Sequence, residues 1–177
     1  MKMKPVPLFR RLIAYLIDWY LATIVCGIPL QLVNSMNSGS TAVDTSIPAG
    51  MDGWLWGTVA ILAGVAYYWL IPQVWHGMTP GKRLMHLRIV GVDGQQPSAG
   101  ALFLRQVVGV LLLEGAIAFP SQLLRELIAR AAGDQPADLI RIVMVVITII
   151  SIALGVYTLD KRMLHDRISG TSEVWEE

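Results

Sequence analysis

The chain has 177 residues, 54% of them hydrophobic and only 15% charged, against about 25% charged in an ordinary soluble domain. With a mean hydropathy of +0.55, this composition argues against a soluble enzyme or a nucleic-acid-binding module and predicts a membrane protein. The formal net charge is only +1, so the placement of the charges carries the information.

In chain order, Lys2, Lys4, Arg10 and Arg11 precede an apolar stretch, Leu12–Val33, that meets the roughly 20 residues needed to cross a bilayer as a helix. It is too long for the apolar region of a signal peptide, about 7–15 residues, and it carries Asp18. A retained span is expected. An isolated acid near the middle of a span costs roughly 2.5–3.5 kcal/mol on insertion scales, so Asp18 needs a partner, a proton or a cation. Arg11, seven residues earlier, lies within about 20° of it on the same helix face and is the nearest candidate. Cys26, the single cysteine, reads as a small core residue.

Residues 34–53 are rich in Ser, Thr, Asn and Gly and read as a mobile external loop. A second span is expected at 54–75, belted by Trp54, Trp56, Trp69 and Trp75. In the connection 77–100, Leu84–Val92 alternates loosely and ends on Asp93-Gly94, a hairpin turn signal, and Ser98 is a plausible N-cap for the third helix. A third span is expected at 102–124, interrupted by Arg105 and Glu114, and a fourth at 139–159; 160–177 forms a tail. Ala60/Gly64 and Ser151/Gly155 have small-xxx-small spacing, which permits close helix packing, and Pro29, Pro72 and Pro120 bend or end spans.

Of the fourteen Lys and Arg, all but Arg125, Arg130 and Arg141 lie at the N-terminus, in or beside the 77–100 connection, or in the tail. The positive-inside rule then puts both termini in the cytoplasm, which requires an even number of spans. The expected fold is an all-α membrane protein: a four-transmembrane-helix bundle with a short cytoplasmic β-hairpin-like loop, in the plasma (cell inner) membrane.

The segment His76-Gly-Met-Thr-Pro-Gly-Lys82-Arg83 approaches a phosphate loop but lacks Gly at 76 and Ser or Thr at 83. It reads instead as a Pro-Gly turn whose basic residues meet anionic lipid headgroups. His76, His86 and His165 show no metal-ligand spacing, and no nucleophile–base pattern or dinucleotide fingerprint is present. No enzyme, metal site, cofactor or nucleic-acid partner is expected.

Three ordered segments resemble the RDD family of small integral membrane proteins, named for one arginine and two aspartates. Arg11-Leu-Ile-Ala14-Tyr-Leu-Ile-Asp18 resembles its opening signature, Gly77 through Leu84 (with Thr79, Pro80, Gly81, Lys82 and Arg83) its segment after the second span, and Leu164-His165-Asp166-Arg167 through Thr171 its closing motif. The resemblance covers residues 9–174 and makes Arg11, Asp18 and Asp166 the name-giving residues. It implies a protein of largely undefined role, with transport suggested for the family and sodium or potassium/proton antiport associated with some members.

Two functions stay open. In one, intramembrane Asp18 and Glu114 carry a proton or monovalent cation in a transporter, which at this size would have to dimerise. On an ideal α-helix Arg105 and Glu114 stand about 180° apart, so Glu114 needs a partner on another helix, a buried water or a proton. In the other, a membrane scaffold or assembly factor, Arg11–Asp18 is a topology-fixing ion pair, and Asp166 joins Lys82 and Arg83 to hold the tail.

Overall fold

The computed structural model describes residues 6–175. Lys2 and Lys4, used above to assign sidedness, lie outside the described residues. Helix α1, Leu8–Ser38, runs 31 residues, about 46 Å at 1.5 Å per residue against a hydrocarbon core of about 30 Å. Its two faces are reversed relative to a water-soluble helix. Leu12, Leu16, Tyr20, Ile24, Ile28 and Leu32 recur every four residues and are all exposed. The buried face carries Arg11, Ala14, Asp18, Ala22, Cys26 and Leu30. Where lipid is the solvent, large aliphatics need no burial, and the interior favours small and polar groups that pair across helices.

The chain leaves α1 through Gly39, which takes the left-handed conformation (φ 67°). The segment before α2 is tied down rather than loose. Asn34 Nδ2 donates to the carbonyls of Asp44 and Ser46 at 3.1 and 2.9 Å, and Gln31 reaches Ala42. Ile47 is buried in a cluster with Leu30, Leu123 and Leu127. The expected mobile loop is therefore shorter and packed, because Ile47 finds a core site while Val43 stays exposed. Helix α2, Gly50–Val74, buries Gly53, Gly57, Ala60 and Gly64, a stripe of small residues that extends the Ala60/Gly64 pair. A Cβ on Gly64 would lie 2.4 Å from Pro120 Cγ and 2.8 Å from Cys26 Sγ, so the helices meet there at backbone distance.

After α2 comes a five-residue helix, α3 (Pro80–Leu84), with Thr79 as N-cap and Pro80 in its first turn. Strand β1, Leu87–Gly91, then ends in the expected Asp93-Gly94 turn, where Gly94 has φ 79° and its N–H donates to the Gly91 carbonyl. The hairpin itself is not formed. β1 pairs antiparallel with β2, Thr171–Trp175, from Leu87↔Trp175 to Gly91↔Thr171. The strand after the turn is missing because Gln95 to Pro97 lead directly into a helix capped, as expected, by Ser98.

The third expected span, 102–124, is not one helix. Helix α4, Ala99–Phe103, continues into a π-helical segment, Leu104–Leu113, that ends at Glu114. The chain is then irregular to Ala118 and resumes as α5, Phe119–Ala132, with Pro120 in its first turn. The break is tolerated within an apolar bundle because side chains from three helices satisfy its carbonyls. Ser121 donates to Leu111 at 2.7 Å and Thr148 to Glu114 at 3.0 Å. Arg125 donates to Gly115 and Ala116, and Trp19 to Ile117 at 2.9 Å. Arg125, assigned to the outer connection by sequence, is thus buried and acts as a clamp on the break. Helix α6, Asp134–Tyr157, fully buries only Met144, Ser151 and Gly155. The five-residue α7, Leu164–Ile168, and β2 complete the described chain. Among the described residues, three helices, α1, α2 and α6, are long and apolar enough to cross a membrane.

Candidate functional site

The two acids that stood out in the apolar segments each cap a short helix. Asp18, on the inner face of α1, accepts the Gly81 backbone N–H at 2.8 Å and the Tyr67 hydroxyl at 2.9 Å on Oδ1. Its Oδ2 accepts the Thr79 hydroxyl. Ala14, one turn earlier, leaves room for α3 to approach: a Cβ on Gly81 would lie 2.2 Å from the Ala14 carbonyl oxygen and 2.9 Å from Asp18 Cγ. Asp18 is thereby the acceptor that docks the Thr79-Pro80-Gly81 turn onto α1. Arg11 is not its partner. A shared face was a necessary condition for that pairing, but donors closer to Asp18 come from α2 and α3.

Glu114 does the same for α7. Its Oε1 accepts the Ser151 hydroxyl at 2.8 Å and the His165 N–H at 3.0 Å, while Oε2 lies 2.9 Å from His165 Nδ1. Ser151 Oγ in turn accepts the Leu164 N–H at 2.9 Å. Both side chains of the Glu114–His165 pair are about nine-tenths buried, each 10% exposed. The π-helix makes this contact possible. In an α-helix the nine residues from Arg105 to Glu114 span two and a half turns and point them apart. The wider i→i+5 turn closes about two full turns over the same length, so both face α7, where they meet the adjacent residues Asp166 and His165.

At this end of the bundle the remaining charges form one buried network. Arg105, 1% exposed, pairs with Asp166 and donates to Thr171 Oγ1 at 2.8 Å and Glu173 Oε1 at 2.6 Å. Arg11 pairs with Asp166 at 3.1 Å and donates to the Lys161 carbonyl at 2.8 Å. Its Nε lies 2.7 Å from Glu173 Oε2 without the alignment of a hydrogen bond. Lys82 Nζ reaches Glu173 Oε1 at 3.2 Å. Three cations, from α1, α3 and the π-helix, thus converge on two carboxylates of the tail. Burial pushes both carboxyls up, but the facing cations prevail. Arg105, His165 and Arg11 hold Asp166 below the usual carboxylate range. Lys82, Arg11 and Arg105 hold Glu173 well below it.

The RDD family's sequence profile matches residues 5–170. The chain belongs to the RDD family. An uncharacterized protein of Bacillus subtilis (strain 168), YckC, is 29% identical over 168 residues, 95% of this chain and 83% of that protein. No solved structure matches. In this RDD protein the arginine and the two aspartates singled out by resemblance gather at one end of the bundle, with Arg11 bonded to Asp166 rather than to Asp18. Asp166 does not join Lys82 and Arg83 as expected, because Lys82 is taken by Glu173 and Arg83 projects outward over the Trp75 ring. Arg167 is also peripheral, paired with Asp160 at 2.7 Å.

Sequence reasoning missed Glu173, the counter-charge to three cations, which lies beyond the residues matched to the RDD profile. It found in His165 no metal-ligand spacing and gave it no partner, and it left Arg105 without one as well. The five residues from Thr171 to Trp175 show no apolar/polar alternation; the local signal was only the β-favouring Thr171, Val174 and Trp175 after Gly170.

Proposed function

We propose that this RDD protein is a multi-pass transporter of the plasma membrane that exchanges a proton for a monovalent cation, with Glu114–His165 as its proton site. The observation that carries this reading is the helix break at Glu114, which leaves a buried carboxylate 2.9 Å from an imidazole. Discontinuous helices with a functional group at the interruption are a recurring design of secondary transporters. A carboxylate facing an imidazole can pass a proton in either direction, and imidazole is the side chain suited to doing so near neutral pH. In this reading the α4–π segment and α5 together make the fourth crossing. Both termini face the cytoplasm, by the Lys and Arg distribution. Asp18, with its carboxylate committed to α3, serves as a latch and not as the ion ligand.

A scaffold role is the second reading. It is favoured by the Arg11–Lys82–Arg105 network, which ties two loops and the tail to the bundle as a rigid platform needs. Reconstitution separates the two. In vesicles under a pH gradient, sodium or potassium is expected to move protons through the wild-type protein and through Asp18→Asn, but not through folded Glu114→Gln or His165→Gln. Absence of wild-type exchange, or its survival in both site variants, would sink the transport reading.

A further inference from the structure

We propose that Leu104–Leu113 is a two-register element: its π register holds Glu114 against the tail, and its α register carries Glu114 to the opposite face of its helix. An extended i→i+5 helix is rarer and less stable than an α-helix of the same sequence, and such turns collect at functional sites. Something must therefore hold it. The Leu-Arg-Gln-Val-Val-Gly-Val-Leu-Leu-Leu sequence contains no proline or other covalent obstacle to α geometry. What holds it is a pin at each end, both on α7: Arg105 on Asp166 and Glu114 on His165. Between the pins, Gly109 lets α7 pack directly on the segment, since a Cβ there would lie 2.5 Å from His165 Cβ.

The two pins are unequal. Arg105 is fixed by two carboxylates and the Thr171 hydroxyl. Glu114 is faced by Ser151 and Thr148 of α6 and by His165 of α7, with Tyr15 of α1 acting on it electrostatically. Beyond His165, the charges of Asp166 and of Glu173 on β2 also act on the imidazole. A proton on Glu114 removes its charge and one of its acceptor positions, which weakens this pin and leaves the Arg105 pin intact. Relaxation to α geometry then turns the Glu114 end by about half a turn relative to Arg105. The inference rests on the transport reading, because it supplies the step by which the proton site changes the side it faces. The register itself is measurable without transport.

The test uses the full chain in vesicles on a Cys26→Ala background, with nitroxides at Leu112→Cys on the segment and at Leu16→Cys on α1 or Ile149→Cys on α6. All three labelled positions are exposed. Position 112, seven residues from the Arg105 pin, turns by a little over a third of a turn, so pulsed electron–electron distances from it should shift by up to roughly 9 Å. The shift is expected in Glu114→Gln, which mimics the neutral acid, and in Gly109→Ala, which pushes α7 off with Glu114 intact. Gly109→Ala serves alone if the glutamine variant does not fold. Unchanged distances in folded variants overturn the proposal, even where Glu114→Gln abolishes exchange and the transport reading stands. Shifted distances uphold it, even where the wild-type protein moves no ions and the transport reading fails.

Discussion

Asp18→Asn tests whether this acid is a latch or a ligand. The carboxylate accepts from three buried donors: the Tyr67 hydroxyl, the Gly81 N–H and the Thr79 hydroxyl. Hydrogen bonds to a charged group contribute about 1.5–3 kcal/mol each, against about 1 for neutral pairs. Asparagine keeps one oxygen for Tyr67 and Gly81, and its amide N–H₂ faces Thr79, whose hydroxyl can turn to accept. The loss is then mainly the charge assistance, about 2 kcal/mol. Asp18→Ala removes all three acceptor contacts, leaves the Gly81 N–H unsatisfied, and should cost about 4 kcal/mol. At about 2–4 °C per kcal/mol for a chain of this size, detergent-solubilised Asp18→Asn should melt roughly 4–8 °C below wild type. Trypsin should also cut faster after Lys82 and Arg83, as α3 leaves α1, while proton exchange persists. If Asp18→Asn melts with wild type and loses exchange, the carboxylate binds the ion and the latch argument is wrong.

Arg105→Met removes one cation from two buried carboxylates, and breaking such a pair costs about 3–5 kcal/mol; the variant should lose its folded tail, seen as faster cleavage after Arg162 and Arg167. Asp166 and Glu173 titrate below the ordinary range in the folded protein. Their stabilisation is therefore complete above the unfolded-chain values, about 3.9 and 4.3, and is lost as pH falls through the lower folded values. Hydrogen-exchange protection of the Thr171–Trp175 amides should be lost only below about pH 4, and loss already near neutrality would contradict the network. Gly64→Val must displace Pro120 or Cys26 and should lower the yield of folded protein, whereas Gly100→Ala, whose Cβ would approach nothing closer than Ser98 Oγ at 3.9 Å, should leave yield unchanged.

Much of the apolar architecture was legible because hydropathy and helix length are local properties. The helices observed at Leu8–Ser38, Gly50–Val74 and Asp134–Tyr157 contain or nearly coincide with the expected spans, and the Ser98 cap was plain. That Arg105 could not face Glu114 in α geometry also followed from one sequence, which left a partner on another helix, a buried water or a proton as the choices for it. The identity of the partners did not. Arg11 finds Asp166, 155 residues away, and Asp18 finds Thr79, 61 away; no periodicity within a helix encodes such pairings. The third expected span is not a continuous helix for a different reason. Its hydropathy is that of a membrane helix, but the π register depends on what α7 offers Arg105 and Glu114, and α7 lies fifty residues downstream.

The pairing of β1 with β2 sets the order in which the charged end can close. Arg11, Lys82 and Arg105 all precede the carboxylate that they approach, Glu173, which lies on β2. Until Thr171–Trp175 pairs with β1, these three cations lack that counter-charge and can engage headgroups or water instead. A chain truncated before Glu173 would keep its long apolar helices yet remain open at one end, a difference that a membrane protease could read.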